Sequence, residues 1–254
     1  MPLRDLQMAL GTLVATRASA SRSGMTQSGW LGPPDLTDEE RAWLEQLLGS
    51  PGFEVTCLIQ RWWRETRLRW AVRLTLAALG PDRSTEMIGS YLDSVRCTSL
   101  FFMPEALGFL DFVIHRGPDI AHLDAVARFD LAMIKAAEVA PTPPGRIPHD
   151  GELRRARCIT PHPAAAIVEF AAPPERVIGA LLSGDPMPPP DGLAYPVIVA
   201  AGLPYLWRPA TPAEARLFAC CQPSAAADRL LAVMAGAERP LQDLLGAGAL
   251  CLAP

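Results

Sequence analysis

The chain has 254 residues, half of them hydrophobic and one fifth charged, with a net charge of −4 and a sequence pI of about 5.6. That length has room for two domains or one large one with a sizeable core, and the acidic balance argues against a general nucleic-acid binder, which carries a basic surplus. No apolar run approaches the ~20 residues that a membrane-spanning helix needs, and the apolar stretch Met8 to Ala15 is flanked by Asp5 and Arg17 rather than by a signal-peptide pattern. The expectation is a soluble, cytoplasmic protein.

Lys135 is the only lysine against many arginines, which with the abundant Ala and Pro reads as codon bias of a GC-rich genome. Six cysteines (57, 97, 158, 220, 221 and 251) lie in apolar or helical surroundings without a C-x-x-C pair. They read as buried reduced thiols rather than as a zinc site.

In chain order, Leu3 to Thr16 has the pattern of a short amphipathic helix, and the Ser/Gly-rich stretch Ser19 to Pro34 that of a loop. Thr37-Asp-Glu-Glu40 is a capping box, in which hydroxyl and carboxylate satisfy each other's backbone amides at a helix start. The helix it opens ends at Gly49. Phe53 to Leu79 then has no internal Gly or Pro and stops at Gly80-Pro81. Ile59, Trp63, Trp70, Leu74 and Ala77 fall on one helical stripe of this segment. The spacing predicts one long central helix with its tryptophans in the core and Arg61, Arg64, Arg67, Arg69 and Arg73 outside. Those arginines form either a solvated flank or, because Trp and Arg are enriched at interface hot spots, a partner-docking face built on Arg61, Arg64 and Arg67. Helices follow at Glu86 to Val95, Pro104 to His115 and Leu123 to Val139. The first 140 residues thus read as a helical bundle.

Composition changes at 141–151, a Pro/Gly-rich segment that reads as a linker. Residues 152–254 read as a small domain of helices with a minimal sheet, so the expected fold class is α+β. Ala166 to Phe170 has strand character, Pro174 to Leu182 a helix with Pro at its start, and Tyr195 to Ala200 is the clearest strand. With Gly202-Leu-Pro204 as turn, Tyr205 to Arg208 completes a hairpin. Thr211-Pro-Ala-Glu214 is a second capping box, followed by helices at Pro212 to Cys221, Ser224 to Ala235 and Pro240 to Leu245.

The catalytic inventory is thin. His115, His122, His149 and His162 have no ligand-spaced partners, and no nucleophile elbow, P-loop or dinucleotide-binding glycine motif is present. No catalytic or metal-binding residue is assigned. A small sheet with an open edge can instead accept a peptide as an added strand. The hairpin offers Tyr195, Val197, Ile198, Val199, Tyr205, Trp207 and Arg208 for that purpose; the alternative is that it only covers its own helices.

The segments RWWRETRLRWAVRLTLAALG, MPEALGFLDFVIHRGPDIAHLDAVARFDLAMIKAA and HPAAAIVEF followed by YPVIVAAGLPYLWRPATPAEARLF resemble, over most of residues 36–250, the two-domain partner proteins of MbnB-type multinuclear iron oxidases, the family that includes MbnC, TglI and HvfC. Where that family often has an L-A-R-(F/L)-E pattern, this chain has Ala127-Arg128-Phe129-Asp130. The resemblance implies a helical N-terminal domain and a C-terminal, winged-helix-like peptide-recognition domain. It also implies a non-catalytic role: binding the leader of a Cys-containing precursor peptide together with the oxidase, which holds the iron and modifies a cysteine, in methanobactin to an oxazolone and thioamide. This chain would then need no cofactor, no nucleic acid and no membrane. The competing readings are a winged-helix DNA-binding regulator, which the acidic charge and the scattered Arg208, Arg216, Arg229 and Arg239 disfavour, and an independent enzyme, which the thin inventory disfavours.

Overall fold

The structure is a computed structural model that describes residues 3–19, 37–95, 102–139, 158–222, 225 and 238–253. The expected linker 141–151, most of the loop Ser19 to Pro34 and, but for Ala225, which bridges to Ile159, the expected helix Ser224 to Ala235 lie outside the described residues. Helices and small antiparallel sheets alternate as an α+β chain. It divides into two compact units, Met1–Phe112 and Val113–Pro254.

The first unit is helical. It contains α1 (Leu3–Ser19), α2 (Asp38–Leu48), α3 (Pro51–Ala71), α4 (Arg73–Leu79), α5 (Pro81–Ser94) and most of α6 (Phe102–Arg116). Local chemistry sets the starts. Thr37 and Glu40 form the expected capping box of α2, and the Ser50 hydroxyl accepts from the Phe53 amide to cap α3, whose first residue is a proline. Ala9, Leu13, Leu44, Phe53 and Cys57 close a core between α1, α2 and α3. Tyr91 of α5 meets Phe109 and Phe112 of α6 edge-on, at 5.4 and 5.6 Å between ring centroids. The tryptophan expectation is reversed here. The single long helix is broken at Val72 (φ −121°, ψ 48°) into α3 and α4. Its buried face is Phe53, Cys57, Arg64 and Leu68, while Trp63 is 47% and Trp70 73% exposed.

The second unit holds the end of α6, α7 (Leu123–Glu138), β1 (Cys158–Pro161), β2 (Ala166–Phe170), α8 (Pro174–Ser183), β3 (Tyr195–Val199), β4 (Trp207–Pro209), α9 (Pro212–Cys220), α10 (Glu238–Gly246) and β5 (Leu250–Ala253). Residue pattern groups α7 with the preceding helices, yet in the structure it packs on β2 and β3. β1 and β5 form an antiparallel pair with Ile159 opposite Leu252. β2, β3 and β4 form an antiparallel sheet in the order β2-β3-β4, with Val168 opposite Val197 and Val199 opposite Trp207.

Side chains alternate along each strand, so the sheet has two covered faces. Phe129 of α7 packs edge-on against Phe170 and Trp207 on one. Ile198 joins Leu217 and Phe218 of α9, Leu241 and Leu244 of α10, and Leu250 of β5 on the other. The β3–β4 turn lies so close to the end of α10 that a Cβ on Gly202 would stand 2.6 Å from the Ala247 carbonyl oxygen. Only glycine fits there.

Candidate peptide-binding edge and partner-docking residues

β3 is the middle strand. It pairs with β2 along its whole length and with β4 over Val197 to Val199. Val197, Ile198 and Val199 have no exposed surface. The expectation that a peptide adds beside Tyr195 to Ala200 is therefore corrected: a strand with neighbours on both sides has no edge to offer. The run Val197–Val199 is apolar on both faces of the strand, as a strand buried on both sides requires.

The other expected peptide-binding residues are spread among different roles. The Tyr195 hydroxyl donates to the Asp191 carboxylate at 2.7 Å; that hydrogen bond is the main reason the Asp191 carboxyl is held below the ordinary aspartate pKa and the Tyr195 hydroxyl is pushed above the ordinary tyrosine pKa. Tyr205 is 82% exposed in the turn before β4 rather than in a strand. Trp207 packs on Phe129. Arg208 forms a two-pronged pair with Glu214, its Nη2 donating to Oε1 at 2.6 Å and its Nη1 to Oε2 at 3.2 Å. Arg208 thereby ties β4 to the start of α9.

The Glu214 carboxylate also accepts from the Thr211 amide at 2.7 Å, completing the second capping box. Burial alone would push that carboxyl up, but the Arg208 guanidinium and the Thr211 donors outweigh it and hold it below the ordinary glutamate range.

The edges of the three-stranded sheet are β2 and β4. β4 is three residues long and ends in Pro209, a blunted edge. β2 is five residues long with no proline, and among the described residues it pairs on one side only. Beside it runs a groove of about 680 Å³ between the sheet and α9, whose lining includes Ile167, Glu169, Pro196, Ala215, Arg216 and Phe218. Its walls are apolar or small, while exposed Glu169 and Arg216 bring opposite charges from the β2 and α9 sides. Sequence reading missed this edge because it treated Ala166 to Phe170 as an isolated apolar run. The signal that was available is the absence of proline from β2 set against Pro196 and Pro209 in its two companions.

The expected docking arginines of α3 are engaged inside this chain. Arg61 pairs with Asp93 at 2.7 Å. Arg64 is 5% exposed; its Nε donates to Glu105 Oε1 at 2.5 Å, its Nη2 to the Val95 carbonyl at 3.0 Å, and its guanidinium lies 6.0 Å from the Tyr91 ring centre. Arg67 is half-buried and engaged as well. Arg64 is therefore a core residue and not part of a docking face. The arginines flank the buried stripe, and the side facing solvent is the one that carries the tryptophans.

Among the described residues no three His, Cys, Asp or Glu side chains converge as metal ligands, and no helix is long and apolar enough to cross a membrane. His162 Nδ1 accepts from the Ala164 amide at 3.1 Å, and buried His122 meets the distant Pro188 carbonyl through Nε2 at 2.8 Å; each spends a ring nitrogen on a backbone group. No protein-family model and no curated protein sequence matches the chain.

Proposed function

We propose that this chain is a non-catalytic subunit of an iron-dependent peptide-modifying oxidase, and that it holds the leader of a Cys-containing precursor peptide while the oxidase modifies the peptide's cysteine. In this reading the second unit is a peptide-recognition domain of winged-helix-like character, the first a helical domain, and the complex works in the cytoplasm. The iron belongs to the oxidase, and this chain contributes binding and orientation.

The observation that carries the reading is the one-sided pairing of β2 beside the groove under α9. An extended peptide laid along β2 gains main-chain hydrogen bonds as a fourth strand, and alternate side chains enter the groove, which sets register. Ile167, Pro196 and Phe218 offer apolar contact, while Glu169 and Arg216 select a basic and an acidic leader residue respectively. The resemblance of the sequence to partners of MbnB-type oxidases supports the same reading and supplies the identity of the second partner.

The test is fluorescence anisotropy of the labelled leader of a Cys-containing precursor peptide, titrated with the full chain. Ala219 is exposed on the groove side of α9, so Ala219→Arg fills the groove without entering the core. The expected result is saturable binding that Ala219→Arg weakens at least tenfold, with the circular dichroism spectrum unchanged. Binding of equal strength in wild type and variant overturns the assignment of the leader to this edge.

A further inference from the structure

Helix α3 has two apolar faces. One is the buried stripe through Phe53, Cys57 and Leu68. The other faces solvent: Val55 is 54% exposed, Leu58 54%, Ile59 48%, Trp62 57%, Trp63 47% and Trp70 73%. These positions recur at three-, four- and seven-residue spacing, which places them on one side of the helix. At about 1.5 Å per residue the stripe from Val55 to Trp70 is roughly 22 Å long. Trp62 and Trp63 sit at its middle, edge to face with ring centroids 5.0 Å apart.

A large exposed side chain presents on the order of 100 Å² here, so six of them expose roughly 600–700 Å² of mostly apolar surface. That exceeds the ~300–600 Å² patch of an ordinary monomer and approaches the ~800 Å² per partner of a standard stable interface.

The charges at the two ends of the stripe indicate the occupant. Exposed Glu54 stands at the N-terminal end and exposed Arg73 at the C-terminal end, beside Arg69, which pairs with Glu65 of its own helix at 2.8 Å. If a second α3 crosses the first antiparallel about a twofold axis near Trp62 and Trp63, Val55 of each copy meets Trp70 of the other. Glu54 then lies within about one turn of the partner copy's Arg69 and Arg73. Each end of the stripe is complementary to the opposite end of itself, which is what a twofold interface requires. A parallel arrangement would instead set Glu54 against Glu54 and Arg69 against Arg69.

We propose that the outer face of α3 is a self-association surface through which two copies of this chain pair antiparallel, tryptophan cluster against tryptophan cluster.

Sedimentation velocity of the full chain over a concentration series, with intrinsic tryptophan emission recorded in parallel, tests this. The expected result is a monomer–dimer equilibrium with a blue shift of emission as dimer forms. Trp62→Glu should weaken dimerisation at least a hundredfold while leaving the helical circular dichroism intact, because the side chain it replaces faces solvent. Glu54→Arg alone and Arg73→Glu alone should each weaken it, and the two together in one chain should restore it. A wild type that stays monomeric at every concentration overturns the proposal, as does a dimer indifferent to Trp62→Glu or one whose charge reversals do not rescue each other. A monomer that loses binding of the partner oxidase on Trp62→Glu overturns it too and gives the face to that protein. Leader binding at β2 is read in a separate titration and is not moved by any of these variants.

Discussion

Arg64 and Glu105 lie on helices 41 residues apart in sequence and are almost wholly enclosed, with 6% and 1% of their side chains accessible. Taking two charges out of water is costly, and only close pairing with further hydrogen bonds compensates. Arg64 meets that condition through Glu105 and Val95, while Glu105 Oε2 has no hydrogen-bond partner. The pair therefore holds α3 and α6 in register more than it adds stability. Glu105→Ala leaves the arginine charge buried and unpaired, and should cost about 3–5 kcal/mol by urea denaturation. The double variant Arg64→Met with Glu105→Leu keeps volume and removes both charges, so it should recover most of that loss. A double variant as unstable as Glu105→Ala would show that the pair is a net contributor.

At the scale of elements, what sequence reveals depends on the range of the forces involved. The capping boxes at Thr37 and Thr211 are legible because donor and acceptor are three residues apart, and both form. The stop at Gly80-Pro81 is legible for the same reason: Gly80 takes φ 76°, a conformation that suits glycine. The face that α3 buries is not legible. Hydropathy assigns Trp inward and Arg outward, but here Glu105 neutralises Arg64 from a distant helix and inverts the choice. The pairing of β1 with β5 joins residues 158–161 to 250–253, and short strands so far apart carry no local sign of each other. β3 was legible as a strand but not as the central one, since strand order is a property of the whole sheet. For the same reason the edge strand β2 escaped notice, and with it the groove.

Glu214 belongs to this scale because its carboxylate joins β4 to the start of α9. Burial opposes its charged form, but Arg208 and Thr211 favour that form and hold its folded pKa below the ordinary glutamate value. A depressed folded value means the contribution is fully present above the unfolded glutamate range and is lost as pH falls through the lower, folded value. Wild type should therefore lose more stability than Glu214→Gln on going from neutral pH to below the glutamate range. Urea midpoints of the two proteins across that interval should converge. Midpoints that run parallel throughout would mean that the Arg208–Glu214 pair makes no difference to folding.

At the scale of the whole molecule, the proposed division of labour places the metal chemistry outside this chain, and the thiols bear on that. Thiolate, not thiol, is the metal ligand. Burial pushes Cys57 and Cys251 up, and pushes Cys221 up to about 11, so these thiols hold their protons at neutral pH. His122 and His162 spend a ring nitrogen on backbone contacts. A metal would have to displace protons from these thiols and break the histidine contacts, and among the described residues no three such ligands converge. The chain purified alone should therefore hold far less than one equivalent of iron or zinc by plasma mass spectrometry. Co-expressed with a multinuclear iron oxidase, it should co-purify with iron that stays with the oxidase when the two are separated in mild salt. One equivalent of metal retained by this chain after that separation would place a metal centre here and remove the basis for a purely binding role. Iron found only in the oxidase fraction, together with leader binding that depends on the groove beside β2, is the outcome the proposed function requires.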